Sequence, residues 1–247
     1  MPLAPQAALD KFSAWLADLY ADRLLALVLY GSFANGGANH VPHRSDINLL
    51  AVLDRLDAAT LDCGAPAVRW WTEQRYPAPI ILSRDEQQDS ADIFPIEYLD
   101  IQAHHRLLRG ADLFSALPRF PELHRRQLLH ELRAKLLRLR AAYMLHGHQA
   151  KPLEAMLLDS ISTFLTLFRH ALAAPGEPLI VAKDDVLAAA AAKFGFAPGP
   201  FQAILQARRQ KSRLENGKLD RLRPLFAHYL AAISQVERSL EPLAATN

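Results

Sequence analysis

A glycine-serine turn between two short apolar segments constrains the fold of this 247-residue chain more than any other feature. The first segment, Ala26-Leu27-Val28-Leu29-Tyr30, stops at Gly31-Ser32. After a polar loop, the second segment runs Ser45-Asp46-Ile47-Asn48-Leu49-Leu50. An apolar, partly β-branched run that stops at a glycine is typical of a buried strand followed by a turn. The sequence therefore predicts two strands, over about 25–30 and 46–53.

The end of the first predicted strand and the start of the second carry groups suited to nucleotide phosphates. Gly31 lets the backbone turn and lets a phosphate approach without a Cβ in the way. Ser32 adds a hydroxyl and a backbone N–H at the same place. Strand alternation puts Asp46 and Asn48 on one face, where two oxygen-bearing side chains can hold a hard cation against phosphates.

This arrangement resembles the nucleotidyltransferase signature of the polymerase-beta superfamily, in which an apolar strand ends in Gly-Ser and an Asp-x-Asp pair follows a short loop. The resemblance implies transfer of a nucleoside monophosphate from a nucleoside triphosphate such as ATP to a hydroxyl acceptor, with Mg²⁺ (or Mn²⁺). It implies that Gly31, Ser32 and Ser45 bind the nucleotide. Asp46 would be a catalytic metal ligand, and Asn48 stands where the family has its second Asp.

A third acidic ligand completes the site in this family, and the resemblance assigns it to Glu97. The segment Phe94-Pro95-Ile96-Glu97-Tyr98-Leu99-Asp100-Ile101 is apolar and carries two acids, and we predict a central strand there. Short family members often show such an acid, a second acid three positions later, and then an element like the Arg-Leu-Leu-Arg-Gly of 106–110. Strand alternation places Glu97 and Asp100 on opposite faces, so both cannot serve one metal ion without a bulge, and the choice between them stays open. The alignment favours Glu97, and we expect Asp100 to make a structural hydrogen bond or a helix cap.

Asn48 leaves two functional hypotheses open. Its amide keeps a carbonyl oxygen but has no charge, whereas Mg²⁺ sites usually rely on carboxylates and substrate phosphates. The first hypothesis is a nucleotidyltransferase in which Asp46, Asn48 and Glu97 hold the metal ion and carry out catalysis. The second is a degenerate nucleotidyltransferase that senses nucleotide or binds a partner protein without turnover.

Strands and helices alternate to about residue 110, and the pattern is helical after residue 121. We predict an amphipathic helix over 5–22, a helix over 58–75 interrupted near Gly64-Ala65-Pro66, and a strand over 79–82. Ser83 and Glu86 have the spacing of a capping box. The helices expected after residue 121 span 122–146, 153–173, 183–194, 201–215 and 219–240.

These patterns predict an α+β fold with two domains. A nucleotidyltransferase domain with a short mixed sheet flanked by helices would cover 1–115, and an all-helical bundle would cover 120–247. In the family that the sequence resembles, a helical C-terminal domain often contributes the acceptor site, as in enzymes that adenylylate aminoglycosides. The second domain is therefore expected to bind the acceptor or a partner protein, and no motif in it identifies the acceptor.

The amino-acid composition limits where the protein can reside and which partners it can bind. The net charge of +2 gives no global attraction to nucleic acid, so a nucleic-acid partner stays an open question. The single cysteine, Cys63, excludes a disulfide within the chain and fits a reducing cytoplasm. The N-terminal segment lacks the apolar core of a signal peptide, and no apolar run approaches the length of a membrane span. We expect a cytoplasmic protein without membrane contact.

A basic cluster in the last third of the chain permits two interpretations. It is either a solvated helix face or a surface that meets a triphosphate or another polyanion. Glu215 and Asp220 interrupt the cluster, which favours the solvated face. Its members are Arg208, Arg209, Lys211, Arg213, Lys218, Arg221 and Arg223.

Overall fold

The computed structural model describes residues 4–31, 33–34, 47–173 and 179–241. The predicted site residues Ser32, Ser45 and Asp46 lie outside these ranges. By its internal contacts the chain divides into two compact units, Met1–Leu123 and His124–Asn247.

The first unit contains a sheet and the helices that cover it. Helix α1 spans Pro5–Tyr20, and the 3₁₀ turn Ala21–Arg23 leads from it into strand β1, Leu24–Tyr30. The elements that follow are β2 (Asn48–Leu53), α2 (Ala58–Glu73), β3 (Ile80–Ser83), α3 (Arg84–Asp89), α4 (Pro95–Ala103) and β4 (His105–Gly110).

The four strands form one mixed sheet in the order β3-β2-β1-β4. Strand β1 is antiparallel to both β2 and β4, whereas β2 and β3 are parallel. At the end of β1, Tyr30 lies opposite Asn48 on one side and opposite His105 on the other. The predicted α+β class is confirmed by this sheet and the helices around it.

Each face of the sheet has its own apolar cluster. On one face, Leu27 and Leu49 pack with Phe12 of α1 and Trp71 of α2. On the other face, Val28 and Leu50 pack with Tyr98 and Ile101 of α4 and with Phe114 in the segment after β4. Because side chains alternate along a strand, Tyr30 and Asn48 belong to the second face, which α4 covers.

The prediction of a strand over 94–101 is wrong, because Pro95–Ala103 form helix α4. Pro95 occupies the first turn, where its fixed φ suits a helix and its missing N–H costs nothing. Tyr98 and Ile101, one turn apart, are buried against the sheet. Glu97 and Asp100 are three residues apart on a helix, so they share one side of it, contrary to the strand-based expectation.

Helix α2 passes through Pro66 unbroken, so the interruption expected near this residue is also wrong. Pro66 lies on the exposed side of the helix. A proline has no backbone N–H, so the carbonyl one turn earlier loses its hydrogen-bond donor, and water can hydrate that carbonyl here. The opposite side is held in place by packing, since Gly64, Ala67 and Trp71 are all buried. The tertiary contacts of that side outweigh the local cost of the proline.

The predicted start of the short helix after β3 is confirmed. The backbone N–H of Glu86 donates to the Ser83 hydroxyl at 3.2 Å, and the Glu86 carboxylate accepts from the backbone N–H of Ser83 at 2.7 Å. These reciprocal hydrogen bonds form the capping box expected from the spacing of the two residues.

The described part of the second unit is helical. Its helices are α5 (Pro121–His146), α6 (Ala150–Leu172), α7 (Lys183–Phe194), α8 (Gly199–Gln210) and α9 (Leu219–Ser239). The predicted helix over 201–215 ends earlier, at Gln210, and a separate 3₁₀ turn covers Leu214–Gly217. In the core, the rings of Phe168 and Tyr229 both pack against Phe201.

Candidate nucleotide-binding site

The strand β1 ends in a tight turn at Gly31. Gly31 has φ +81°, a backbone conformation that side chains of L residues rarely adopt. The backbone N–H of Ala34 donates to the Gly31 carbonyl at 3.1 Å, which closes the turn. A Cβ built on Gly31 would lie only 2.9 Å from Nδ2 of Asn48. Glycine is therefore required here both by the backbone and by the side chain that packs over it.

Asn48 is the first residue of β2 and is half-buried. It pairs with Tyr30 in the sheet, and its side-chain amide lies against Gly31. The structure thus brings together two of the residues that the sequence assigned to the site, Gly31 and Asn48. Ser32, Ser45 and Asp46 are outside the described residues, and their roles stay predictions.

Tyr30 is a member of this site that the sequence reasoning missed. It lies between Asn48 and His105 across the sheet and is half-buried. Burial raises the pKa of the Tyr30 hydroxyl, and the negative charge of Glu97 raises it further. Glu97 is therefore near enough to act on Tyr30, although it comes from helix α4 and its side chain is exposed. The only sequence signal for Tyr30 is its position directly before Gly31.

A histidine-aspartate pair fixes the start of β4 beside Tyr30. Nε2 of His105 lies 3.2 Å from Oδ1 of Asp112, and its Nδ1 lies 2.7 Å from the carbonyl oxygen of Ile101. Both ring nitrogens therefore lie within hydrogen-bond distance of an oxygen atom. The pair holds the end of α4, the start of β4 and the following loop in one arrangement.

Asp112 is ionised over a wide pH range because of its hydrogen bonds. Burial acts to raise its pKa, but hydrogen bonds from the Ser115 hydroxyl and from the backbone N–H groups of Phe114 and Ser115 outweigh it. Together with the nearby His105 they lower the pKa of Asp112 to about 2. No local spacing in the sequence indicated this pair, because its geometry depends on where α4 and β4 meet.

The described residues offer few ligands for a metal ion. Within 4–31, 33–34, 47–173 and 179–241, no group of three or more His, Cys, Asp or Glu side chains could hold one. Of the predicted metal ligands, Asn48 and Glu97 lie within the described residues. Two such donors are too few for a hard cation, so a metal site here also needs Asp46 and the phosphates of a substrate.

Four members of the basic cluster in the second unit bond to the protein itself. Arg208 donates to the Ser162 hydroxyl at 2.7 Å, and Arg223 donates to the Gly147 carbonyl at 3.1 Å. Arg209 pairs with Asp184 at 2.6 Å, and Arg213 pairs with Glu154 at 2.8 Å. These contacts favour a structural role for the cluster over binding of a polyanion.

In the part of the chain that the structure describes, no helix combines the length and the apolar character needed to cross a membrane.

The mixed four-stranded sheet and the helical C-terminal region match the fold of a solved nucleotidyltransferase. The chain is similar to the solved structure of spectinomycin adenyltransferase AAD(9) from Enterococcus faecialis with ATP and spectinomycin. The TM-score is 0.57 and the identity 16%, over 97% of this chain and 100% of that chain. The likeness extends over the predicted catalytic and helical parts alike, and at this identity it establishes the fold. No family model and no curated protein matches the sequence.

Proposed function

We propose that this chain is a nucleotidyltransferase that moves a nucleoside monophosphate from ATP or another nucleoside triphosphate to a hydroxyl acceptor. The acceptor oxygen attacks the α-phosphorus, the bond to the β-phosphate breaks, and pyrophosphate leaves. One observation carries the proposal: Asn48 packs on the positive-φ turn at Gly31, at the end of an antiparallel strand pair in a nucleotidyltransferase fold. Glycine at this turn puts no Cβ in the way of a phosphate, which would meet the Asn48 amide that covers the turn.

Each predicted residue has a role in this proposal. Gly31 and Ser32 hold the β- and γ-phosphates, and Ser45 adds a hydroxyl at the start of the second strand. Asp46, Asn48 and Glu97 hold Mg²⁺ (or Mn²⁺), which supplies positive charge to the phosphate oxygens. Glu97 or a nearby acid also accepts the proton of the acceptor hydroxyl.

A second candidate function is nucleotide binding without turnover. The neutral amide of Asn48 favours it, because the anion that bridges two metal ions in the family is missing. The chain would then act as a nucleotide sensor or as a module that binds a partner protein. Exchange of Asn48 for Asp separates the two functions: a competent enzyme gains turnover and metal affinity, whereas a binding module gains metal affinity alone.

We propose the acceptor as a chemical class, namely a molecule that carries a free hydroxyl group. AAD(9) was solved with spectinomycin, which makes spectinomycin the first acceptor to assay. We place the reaction in the cytoplasm, where nucleoside triphosphates are present and where an exposed free Cys63 stays reduced.

The test is calorimetric titration of ATP in the presence of Mg²⁺, with pyrophosphate release followed in the same samples. The key variant is Asp46→Ala, and the matched control is Asp62→Ala, at an exposed position on α2. We expect Asp46→Ala to weaken binding and abolish pyrophosphate release, and Asp62→Ala to behave as the wild type. Binding without pyrophosphate release from any acceptor would favour the sensor. No binding of any nucleoside triphosphate would refute both candidate functions.

A further inference from the structure

Helix α5 carries a second apolar stripe on its outer side. Its inner side is formed by Leu128, Leu132, Leu136 and Leu139, which are buried in the second unit. A helix that packs on one side normally presents polar residues on the other. Along the second half of α5 the outer side is apolar as well, and exposed apolar residues that lie together mark candidate interaction surfaces.

The outer stripe consists of Ala134, Leu137, Ala141 and Met144, and we call it the α5 seam. Leu137 is 57% exposed and Met144 is 86% exposed, and Leu145 beside the seam is 64% exposed. The alternating spacing of three and four residues is that of a coiled-coil seam, whose side chains insert between those of a second helix. The seam is about 15 Å long, which matches about three turns of a partner helix.

The charges beside the seam are all positive. Arg138 and Arg140 flank it on its two sides, and both are exposed. Arg140 donates to the neutral Ser234 hydroxyl at 3.3 Å, a contact that leaves its charge unbalanced. In a coiled coil, charges at these flanking positions select the partner helix. The sequence from 132 to 153 contains no Asp or Glu, and its Arg and Lys residues are Arg133, Lys135, Arg138, Arg140 and Lys151.

We propose that the α5 seam binds an amphipathic helix of a partner protein. Apolar residues of that helix pack on Leu137 and Met144, and its Asp or Glu residues pair with Arg138 and Arg140. Charge complementarity selects this occupant, because a symmetric pairing of two copies of α5 would bring the same arginines against each other. The inference concerns the second unit alone and does not require nucleotide turnover, so it goes beyond the proposed function.

A lipid surface fits the seam less well than a helix does. Helices that lie in a membrane interface bury a broad apolar face in the lipid, with residues such as Trp, Phe and Leu. The α5 seam is one residue wide along most of its length and has an arginine on either side. The tyrosine of α5, Tyr143, is stacked on Phe226 of α9, with 3.9 Å between the ring centroids. A narrow seam between charges suits a helix with complementary charges.

The seam lies away from the points where the described chain of this unit is interrupted, after 173, and ends, at 241. Near the first point, Nδ1 of His170 lies 3.0 Å from Nε2 of His124. Near the second, the Leu240 carbonyl accepts from Arg125 at 2.8 Å. Both contacts are made by the start of α5, which lies about 20 Å along the helix from Leu137.

The experiment measures the binding of two synthetic probe peptides to the full chain by fluorescence anisotropy. Each peptide is about three heptads long with leucine at both seam positions. One peptide carries glutamate at the flanking positions, and the other carries lysine. We expect the glutamate peptide to bind at least about tenfold more tightly, because its carboxylates meet Arg138 and Arg140, and we expect this preference to decrease as salt is added.

A first double variant tests the apolar anchors. Leu137→Gln combined with Met144→Gln should weaken binding of the glutamate peptide at least about tenfold, since burial of one such side chain contributes roughly that factor. The matched control is Leu61→Gln, at a 50% exposed position of α2 in the first unit, and it should bind as the wild type does. Circular dichroism of each variant checks that it is folded.

A second double variant tests the charges. Arg138→Glu combined with Arg140→Glu should reverse the preference, so that the lysine peptide binds more tightly than the glutamate peptide. A variant that only disturbed the packing of α5 would weaken both peptides alike. The matched control is Arg221→Glu, at an exposed position of α9, and it should keep the wild-type preference.

Three results would overturn the inference and leave the proposed function standing, because no nucleotide is present in these measurements. The first is no binding of the glutamate peptide up to about 1 mM, or equal binding of the two peptides. The second is a wild-type dimer in light scattering that Leu137→Gln with Met144→Gln dissociates, since a second copy would then cover the seam. The third is binding to vesicles of phosphatidylserine and phosphatidylcholine that the same double variant abolishes, which would assign the seam to a lipid surface.

Discussion

Replacing Gly31 with alanine introduces two strains at the turn that ends β1. The backbone of residue 31 has φ +81°, which an alanine adopts only at a cost. The new Cβ would also lie 2.9 Å from Nδ2 of Asn48, closer than real Cβ contacts come, so the amide must move. The same substitution therefore perturbs both the turn and the side chain that packs over it.

The expected loss of stability follows from these two strains. A non-glycine residue in the left-handed region costs about 1–2 kcal/mol. Displacing the Asn48 side chain from its rotamer adds about 0.5–1.5 kcal/mol. Alanine offsets about 0.4–1 kcal/mol by lowering the entropy of the unfolded chain. We expect a net loss of about 1–2 kcal/mol in the free energy of unfolding of the first unit.

The chain offers a convenient probe for this measurement. All three tryptophans, Trp15, Trp70 and Trp71, belong to the first unit, so their fluorescence during urea unfolding reports on that unit. The matched control is Gly199→Ala in α8 of the second unit, where an added Cβ meets nothing within 4 Å. This control should leave the fluorescence transition unchanged and should be neutral or slightly stabilising by circular dichroism.

The ATP titration supplies a second readout for Gly31→Ala. A methyl group at residue 31 should weaken ATP binding at least tenfold, because it displaces the Asn48 amide and obstructs the approach of a phosphate to the turn. Gly31→Ala with an unchanged fluorescence transition and unchanged ATP affinity would refute the reasoning about this turn.

Three further changes test other contacts. Gly64→Ala places a Cβ 2.2 Å from the Tyr20 hydroxyl and should destabilise the first unit by about 1–3 kcal/mol, measured by tryptophan fluorescence in urea. Glu154→Ala removes the buried acceptor of the Leu214 N–H (2.6 Å) and should cost about 2 kcal/mol by circular dichroism in urea, whereas Glu154→Gln, which keeps an acceptor oxygen, should cost less. The pKa of Asp112, lowered from 3.8 to about 2, stabilises the folded state above pH 4, and this contribution is lost as the pH falls from 4 to 2. Because the Asp112 side chain is 39% exposed, we expect about 1 kcal/mol, measured as the difference in acid unfolding between wild type and Asp112→Asn.

Each of these predictions has a result that contradicts it. If Gly64→Ala is as stable as the wild type, or if adding Tyr20→Phe to it restores nothing, the close contact does not exist. Equal losses for Glu154→Ala and Glu154→Gln would mean that the acceptor oxygen for Leu214 is unimportant. An unchanged acid transition in Asp112→Asn would show that this carboxylate does not govern stability at low pH.

The strands at the site could be predicted because their signals are local. Strand β1 is an apolar run that ends at Gly31, and β2 alternates from Ile47 onward, so their pairing placed Asn48 beside the turn. The short apolar run of α4 could not show whether the segment is a helix or a strand, because a buried helix and a buried strand both produce short apolar runs. Pro95 was the available clue, because proline is disfavoured in a central strand and suits the first turn of a helix.

The remaining parts of the site depend on tertiary pairing. Tyr30 gains its surroundings from β4 and from Glu97 of α4, which are distant in sequence and carry no common motif with β1. The contact of His105 with Asp112 likewise forms only where α4 ends and β4 begins. The assignments of Ser32, Ser45 and Asp46 stay predictions, because these residues lie outside the described part of the chain.

The place of β1 in the sheet has a consequence during synthesis of the chain. Its partner on one side, β4, is the last strand of the first unit, so the β1 edge stays open until Gly110 has left the ribosome. An open apolar strand edge is a template for aggregation. Once β4 has paired, the outer edge carries the exposed Arg106 and Arg109, whose charges discourage a further strand. A fragment that ends before His105 should therefore aggregate more readily than the complete first unit.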